Sequence, residues 1–408
     1  SSPSDPRVTM NIVYADNNAT TSVAPEVFEA MRPYLQEQFF NPSAMYDQAQ
    51  GTAEALTAAR AQVAAILGGV SPTEISFTSG ATESNNTAIR GAATASRRNH
   101  IITSTVEHPA VLEVCRHMER NGCEVSCIPV DTCGNLDMNA YIRALRDDTL
   151  LVTIMHANNE TGVVFPIADI ARIAKETDPG IIVHTDATQS VGKLPLDLTA
   201  ELQHVDMLSL SGHKCHAPKG VGALFMRRGT RCRPLMLGGH QENGRRAGTE
   251  NVASIAGLGA ACDLAAATLA DEQRVAAMRD RLEGAIRERI PHVEVNGAGA
   301  PRLPNTLNLA VHYVEGEAML YQLSAAGICV SSGSACTSGS LDPSHVLKAM
   351  QIPFTALHGS VRFSFSRYNT DDDIDHIINV FPDMVRSLRR LSPYWDNAND
   401  SPADGDLP

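Results

Sequence analysis

From about residue 50 to residue 230, short apolar runs alternate with longer stretches of helical character. "EISFTS", "HIITST", "LLVTIMH", "GIIVHTD" and "VDMLSLS" are rich in Ile, Val, Leu and Thr and read as strands. The intervals between them read as helices, as in "HPAVLEVCRHMERNG", which closes on Gly122. Near-continuous apolar strands separated by helices predict an α/β fold with a mostly parallel sheet flanked by helices. After Gly248 the pattern changes. An Ala-rich helical stretch over roughly 251–288 leads into "PNTLNLAVHYV", a small-residue loop and "GSVRFSFSRYN". This predicts a smaller α+β C-terminal domain joined by a long helix. The expected organisation is an N-terminal segment 1–22 packing with the small domain, a large domain 23–268, a small domain 269–395 and a flexible tail 396–408.

Composition narrows the class without naming a chemistry. The 408 residues, 43% hydrophobic and 19% charged, suit a globular chain of one or two domains. With 33 basic against 46 acidic residues, the formal charge of −13 argues against a nucleic-acid surface. No apolar run approaches the roughly 20 residues of a membrane span. "SSPSDPRVTM" lacks an apolar secretory core, so a cytoplasmic location is expected. Nine cysteines, an odd number, suit free thiols in a reducing compartment better than a disulfide framework.

The chemistry sits at the ends of the strands, where open parallel sheets bind ligands. "EISFTS" runs into "GATESNN", "HIITST" into "VEHPA", "VTIMH" into "ANNETG", "IIVHT" into "DATQ" and "MLSLS" into "GHK". Five polar payloads in succession suggest one site assembled from five loops. Gly80-Ala81-Thr82, between a strand and a helix, is either a phosphate cradle of backbone N–H groups or an ordinary turn capped by Thr82. Asp186 directly follows an apolar strand and wants a cationic partner, a structural Arg or a protonated heterocycle. Lys214 follows "LSLSGH", where desolvation makes an amine nucleophilic. His108 reads as a core or helix-capping histidine unless a cofactor is present. Asn159 and Gln189 alone would pass as loop hydrogen-bonders. A Schiff-base lysine, a carboxylate for a pyridine nitrogen and a phosphate cradle are together what pyridoxal 5'-phosphate requires.

The motifs also carry a resemblance. "DNNATT", "FTSGATES", "EHPAVL", "NNETG", "HTDATQSVGK", "LSLSGHKCHAPKGVG", "GGHQENGRRAGTEN", "EGEA", "SSGSACTSGSLDPSHV", "VRFSFSRYNT" and "LSPYW" run in collinear order over about residues 11–396. The chain resembles the cysteine desulfurases of the class V aminotransferase superfamily, fold-type I pyridoxal phosphate enzymes, most closely their nitrogen-fixation (NifS-like) branch. The resemblance implies that Lys214 carries the Schiff base. Asp186 would bond the pyridine nitrogen and Gln189 the ring hydroxyl, Asn159 would also touch the cofactor, and His108 would stack on the ring and act catalytically by moving protons. Thr82, Ala81, Ser211 and His213 would hold the phosphate, and Thr249 would reach the phosphate of a neighbouring subunit in a homodimer. Asn159 and Arg362 would bind the substrate, and Cys336 would be the catalytic cysteine. The implied partners are L-cysteine and a sulfur-accepting iron–sulfur scaffold protein, with neither nucleic acid nor membrane. Departures are Tyr46 within "NPSAMYDQ" and cysteines at 215, 232 and 329, where apolar or other residues are common in the family.

Cys336 lies within "SSGSACTSGS", seven of whose ten residues are Ser or Gly. A thiol near the middle of a twelve-residue tether commands about 20 Å from either anchor, at ~3.3–3.6 Å per residue. That suits a shuttle carrying sulfur from a buried substrate to an external acceptor. The rivals are another class V enzyme such as a selenocysteine lyase or an aminotransferase, a non-catalytic sulfur carrier, and a metal-binding thiol protein. The last is suggested by "HKCH" and by Cys115, Cys123, Cys127 and Cys133, whose spacings are not the paired C-x2-C of zinc ribbons.

Overall fold

A computed structural model describes residues 12–332 and 343–403, so Cys336 lies outside the described residues. The first eight strands are β1 (Val13–Tyr14), β2 (Ile75–Thr78), β3 (His100–Ser104), β4 (Glu124–Ile128), β5 (Thr149–Thr153), β6 (Ile182–Asp186), β7 (Met207–Ser211) and β8 (Gly222–Met226). Seven of them form one sheet in the order β2-β8-β7-β6-β5-β3-β4. It is parallel from β7 through β4, and every residue of β2, β3, β5 and β7 is buried, as strands covered on both faces must be. The five sequence runs all become strands, joined by β4 and β8. β8 runs antiparallel to both neighbours. Only Gly212–Val221 separates it from β7, too little chain for the helical crossover that a parallel partner needs.

Helices α1 (Pro25–Met31), α2 (Pro33–Gln36), α3 (Gln50–Ile66), α4 (Ala81–Thr94), α5 (Pro109–Arg120), α6 (Met138–Ala144) and α7 (Ile167–Thr177) accompany this sheet. The single long helix expected over 251–288 is two, α8 (Val252–Ala267) and α9 (Glu272–Arg289), bent by 58°. Each follows its own core. Ile255, Leu258, Ala261 and Cys262 of α8 join the core of the large sheet. Gly259 lets α8 lie against α3, since a Cβ there would come within 2.7 Å of the Ala59 Cα. Val275, Met278, Leu282 and Ile286 of α9 enter a second core. At the break, Thr268 Oγ1 donates to Leu264 O and accepts from Arg367 Nη1, which holds the bend without Gly or Pro.

The second core surrounds an antiparallel sheet of β9 (Val293–Val295), β10 (Thr306–Val311) and, after the short β11 (Ile328–Cys329), β12 (Ser360–Ser364). Helices α10 (Gly316–Ala325) and α13 (Asp371–Arg389) complete this half, whereas α11 (His345–Ala349) sends Val346 and Leu347 into the core of the large sheet and Leu357 of α12 (Phe354–Leu357) packs against it. Val13 and Ala15 pack into the same core, and β1 pairs in parallel with β11. Within the tail expected from residue 396, Asp396 and Ser401–Pro402 take part in a short antiparallel pair, β13 (Trp395–Asp396) with β14 (Ser401–Pro402), and the Arg389 guanidinium stands 4.8 Å from the Trp395 ring centre. Among the described residues no single helix is long and apolar enough to cross a membrane.

Candidate active site

A cavity of about 600 Å³ opens beyond the carboxyl ends of the parallel strands. On one side of it, β2 turns through Ser79 and Gly80 into α4. Gly80 (φ 153, ψ 177) takes a conformation that only glycine adopts easily, and no side chain caps the helix. The N–H groups of Ala81 and Thr82 therefore begin α4 without helical partners while their residues line the cavity. β8 passes close behind: a Cβ at Gly222 would stand 2.7 Å from the Gly80 Cα, so that position also needs glycine. Ser211 and His213, from the end of β7, line the same side, and burial pushes His213 down to about 4.

Across the cavity, Asp186 ends β6 with 7% exposure. Its Oδ2 accepts from Asn85 Nδ2 at 2.7 Å and its Oδ1 from Thr188 N at 2.9 Å. No arginine pairs with it among the described residues, so the structural-cation reading of Asp186 fails. Gln189 donates from Nε2 to Asn18 O, leaving its buried Oε1 without a hydrogen-bond partner. Lys214 Nζ donates to Asn18 O at 2.6 Å and Ala19 O at 2.7 Å. Asn18 is itself fixed through its side chain, donating to Asn159 O and Thr306 Oγ1 and accepting from Asn305. The "DNNATT" turn is thus a carbonyl platform for the amine.

His108 satisfies both roles that its sequence position left open. As N-cap of α5 it accepts Ala110 N–H at Nδ1 (3.1 Å), and it also lines the cavity. With Nδ1 occupied, its proton resides on Nε2. Burial holds its pKa below the ordinary 6.5, with the Asp186 carboxylate opposing. Beside it, burial raises the Glu107 carboxyl to about 8.

Arg362, 3% exposed on β12, closes the far wall. Its Nη1 donates to Asn159 O at 2.9 Å and its Nη2 to Asp16 at 2.8 Å, while its buried Nε has no partner. The described residues on either side of 333–342 attach near this wall. On one side Ser331 exchanges main-chain hydrogen bonds with Arg362 at 3.3 and 2.6 Å. On the other, Ser344 donates to the Glu160 carboxylate and His345 Nε2 lies 2.9 Å from Glu107 O, next to Asn159 and His108.

The lining thus unites Ala81, Thr82, His108, Asn159, Asp186, Gln189, Ser211, His213, Lys214 and Arg362. Thr249 is exposed and does not line this cavity. The metal reading gains nothing from the geometry. In "HKCH", His213 faces Thr20, Cys215 faces Gly212 O and His216 faces Ser22 O. Sequence reading did not single out Asp16, Asn18 or Asn85. Each acts on a residue more than a hundred positions away, and only the extra Asn in "DNNATT" and "ESNN" hinted at them.

The aminotransferase class-V family model matches residues 13–377. The chain belongs to that family. Within it, the chain is 54% identical over 392 residues to a cysteine desulfurase of Gluconacetobacter diazotrophicus, covering 95% of this chain and 97% of that one. It is 53% identical over 385 residues to the cysteine desulfurase NifS of Azotobacter vinelandii, covering 94% and 95%. Among solved structures, a NifS-like protein superposes with a TM-score of 0.86 at 35% identity, covering 93% of this chain and all of that one. A second, SspA in complex with cysteine, gives 0.77 at 37% identity over 88% of this chain. The chain thus has the fold-type I architecture of pyridoxal phosphate enzymes, and the class V family implies that cofactor. The residues present suit it: an uncapped helix start for the phosphate, a steadied carboxylate, an orphaned amide oxygen and an amine in one cavity.

Proposed function

We propose that this class V enzyme is a cysteine desulfurase that removes sulfur from L-cysteine, leaves L-alanine and carries the sulfur on Cys336. The observation that supports it best is the meeting of Lys214, Asp186, His108 and Arg362 around one cavity, with the described residues on either side of 333–342 attached near its far wall. Bound through Lys214, pyridoxal 5'-phosphate would supply an electron sink that makes the substrate's Cα proton removable and its C–S bond labile.

The chain's own residues do the rest. Ala81, Thr82, Ser211 and His213 would hold the phosphate, Asp186 the pyridine nitrogen and Gln189 Oε1 the ring hydroxyl. Asn159 and Arg362 orient the substrate, Arg362 by gripping its carboxylate. The Lys214 amine, once free, takes the Cα proton. His108, on the cavity wall, would stack on the ring and offers its Nε2 proton as a donor; to take a proton at Nδ1 it must first release Ala110 N–H. Cys336 sulfur then bonds to the substrate sulfur while the C–S bond breaks. The electron pair stays on Cβ, which takes a proton. L-cysteine and one thiol become L-alanine and one persulfide, so atoms and electrons balance without an outside oxidant.

The sulfur passes to an iron–sulfur scaffold protein serving nitrogenase, in the cytoplasm. Thr249, exposed in the single chain, completes the phosphate site of a second copy in a homodimer. We read the chain as a large domain over 23–268 and a small one over 269–395; Val13 and Ala15 pack with the small one, while Val346, Leu347 and Met350 reach across into the core of the large sheet. The test is a visible spectrum of the purified protein before and after L-cysteine, with alanine and sulfide measured. A coloured protein whose spectrum shifts and which forms alanine and sulfur in equal amounts is expected. A colourless protein, or pyruvate or another keto acid as product, would overturn the reading.

A further inference from the structure

A second cavity, of about 240 Å³, lies where the loop after β8 folds over β2 and α4, and it shares no lining residue with the catalytic cavity. Five arginines line it, Arg227, Arg228, Arg233, Arg245 and Arg246, against one carboxylate, Glu74. In a chain of formal charge −13 such a concentration of cations needs a reason. Structural pairing accounts for part of it. Arg227 donates to Val205 O and Leu198 O, Arg245 to Thr73 O and Arg246 to Glu83. Arg228 and Arg233 stand exposed at the mouth, and their side chains make no hydrogen bond or ion pair among the described residues. Glu74, whose oxygens accept the main-chain N–H groups of Ser71 and Arg228, sets one negative charge against the five guanidinium groups.

An independent feature lies deeper. Ser76, 5% exposed, lines the same cavity, and its Oγ has no hydrogen-bond partner among the described residues. A water would satisfy that hydroxyl yet leave the guanidinium groups uncompensated; an oxyanion satisfies both. Cys232 adds no opposing charge, since burial pushes its thiol up to about 11. At about 30 Å³ per water-sized group the space admits roughly eight such groups, a phosphate with a three-atom tail.

We propose that this cavity is a binding site for a small tetrahedral oxyanion, free or as the phosphate group of a metabolite, held by Arg228, Arg233 and Ser76. It is separate from the catalytic chemistry and does not depend on it. The test uses the holoenzyme, whose catalytic phosphate cradle is already filled. Inorganic phosphate, sulfate and glycerol 3-phosphate are titrated by calorimetry at constant ionic strength, and L-cysteine turnover reports that each variant is folded. One saturable site per chain with Kd at or below about 1 mM is expected. Arg233→Ala should weaken it at least tenfold and Ser76→Ala severalfold, with turnover unchanged in both. Arg246 is left intact because its partner Glu83 lines the catalytic cavity. Equal affinity for inorganic phosphate and glycerol 3-phosphate identifies a free oxyanion, and tighter glycerol 3-phosphate identifies a metabolite. No saturable binding below about 10 mM, wild-type affinity in both variants, or side chains of a second copy filling the cavity in a crystal would overturn the proposal.

Discussion

Replacing Arg362 separates holding the substrate from breaking its bonds. The guanidinium is 3% exposed, aimed by Asn159 O at 2.9 Å and Asp16 at 2.8 Å, with a buried Nε still unpartnered. A carboxylate accepting two of its N–H groups gains about 1.5–3 kcal/mol from each charge-assisted bond. Repulsion from Asp16 and the lost hydration of the carboxylate reduce the pair to roughly 3–4 kcal/mol, at about 1.4 kcal/mol per tenfold. Arg362→Ala should therefore lower kcat/KM by roughly 140- to 700-fold. Because the carboxylate takes no part in C–S cleavage, most of the loss should appear in KM. Arg362→Lys keeps the charge but not the fork and should lose about 10- to 40-fold. The assay is the initial rate of alanine formation against L-cysteine concentration, with the visible spectrum confirming retained cofactor. An Arg362→Ala enzyme with unchanged KM, or one that loses only kcat, would refute the assignment.

Three further outcomes are expected. Cys336→Ala should keep the cysteine-dependent spectral change but form no persulfide by mass spectrometry; a persulfide on another cysteine would move the carrier elsewhere. Glu242, with a 3% exposed side chain, accepts Arg60 Nη1 and Nη2 at 2.7 Å each and Phe77 N at 2.9 Å. Glu242→Gln leaves Arg60 without its counter-charge and should cost about 3 kcal/mol in urea unfolding of the holoenzyme; a loss under about 1 kcal/mol would show the pair to be dispensable. Burial pushes His156 and His184 down to about 4 from an ordinary 6.5. The unfolded chain therefore binds protons that the folded one refuses, so stability is full above pH 6.5 and falls towards pH 4. Near pH 5 unfolding should take up about two protons from this pair, roughly 2.7 kcal/mol per pH unit. Glu107 opposes this trend and His213 adds to it, so the check is a comparison: His184→Gln should show a smaller change in urea stability between pH 7 and 5 than the parent, and an identical change would contradict this.

What could be read from sequence follows how locally each feature is encoded. The strands of the parallel sheet were legible because two-sided burial demands continuous apolar residues. β4 was not, since most of "EVSCI" is only partly buried at the sheet edge. The direction of β8 depends on the length of a connection rather than on its own residues. The break between α8 and α9 contains neither Gly nor Pro and arises because two cores draw the helices apart. In the site, Lys214, Asp186 and His108 were visible as polar residues punctuating apolar runs. Asn85 looked like any helix-surface amide, and nothing near Asp16 announces an arginine 346 positions away. These are products of tertiary closure.

The N-terminal turn has a practical consequence. Asp16 aims one catalytic-wall side chain, and the main-chain oxygens of Asn18 and Ala19 position another, although none of the three performs chemistry. Shortening the chain to begin at the first helix would remove these three residues together with the β1–β11 pairing and the buried Val13 and Ala15. Such a truncated protein would lose the aim of Lys214 and Arg362 and part of the second core at once, so this end should not be trimmed.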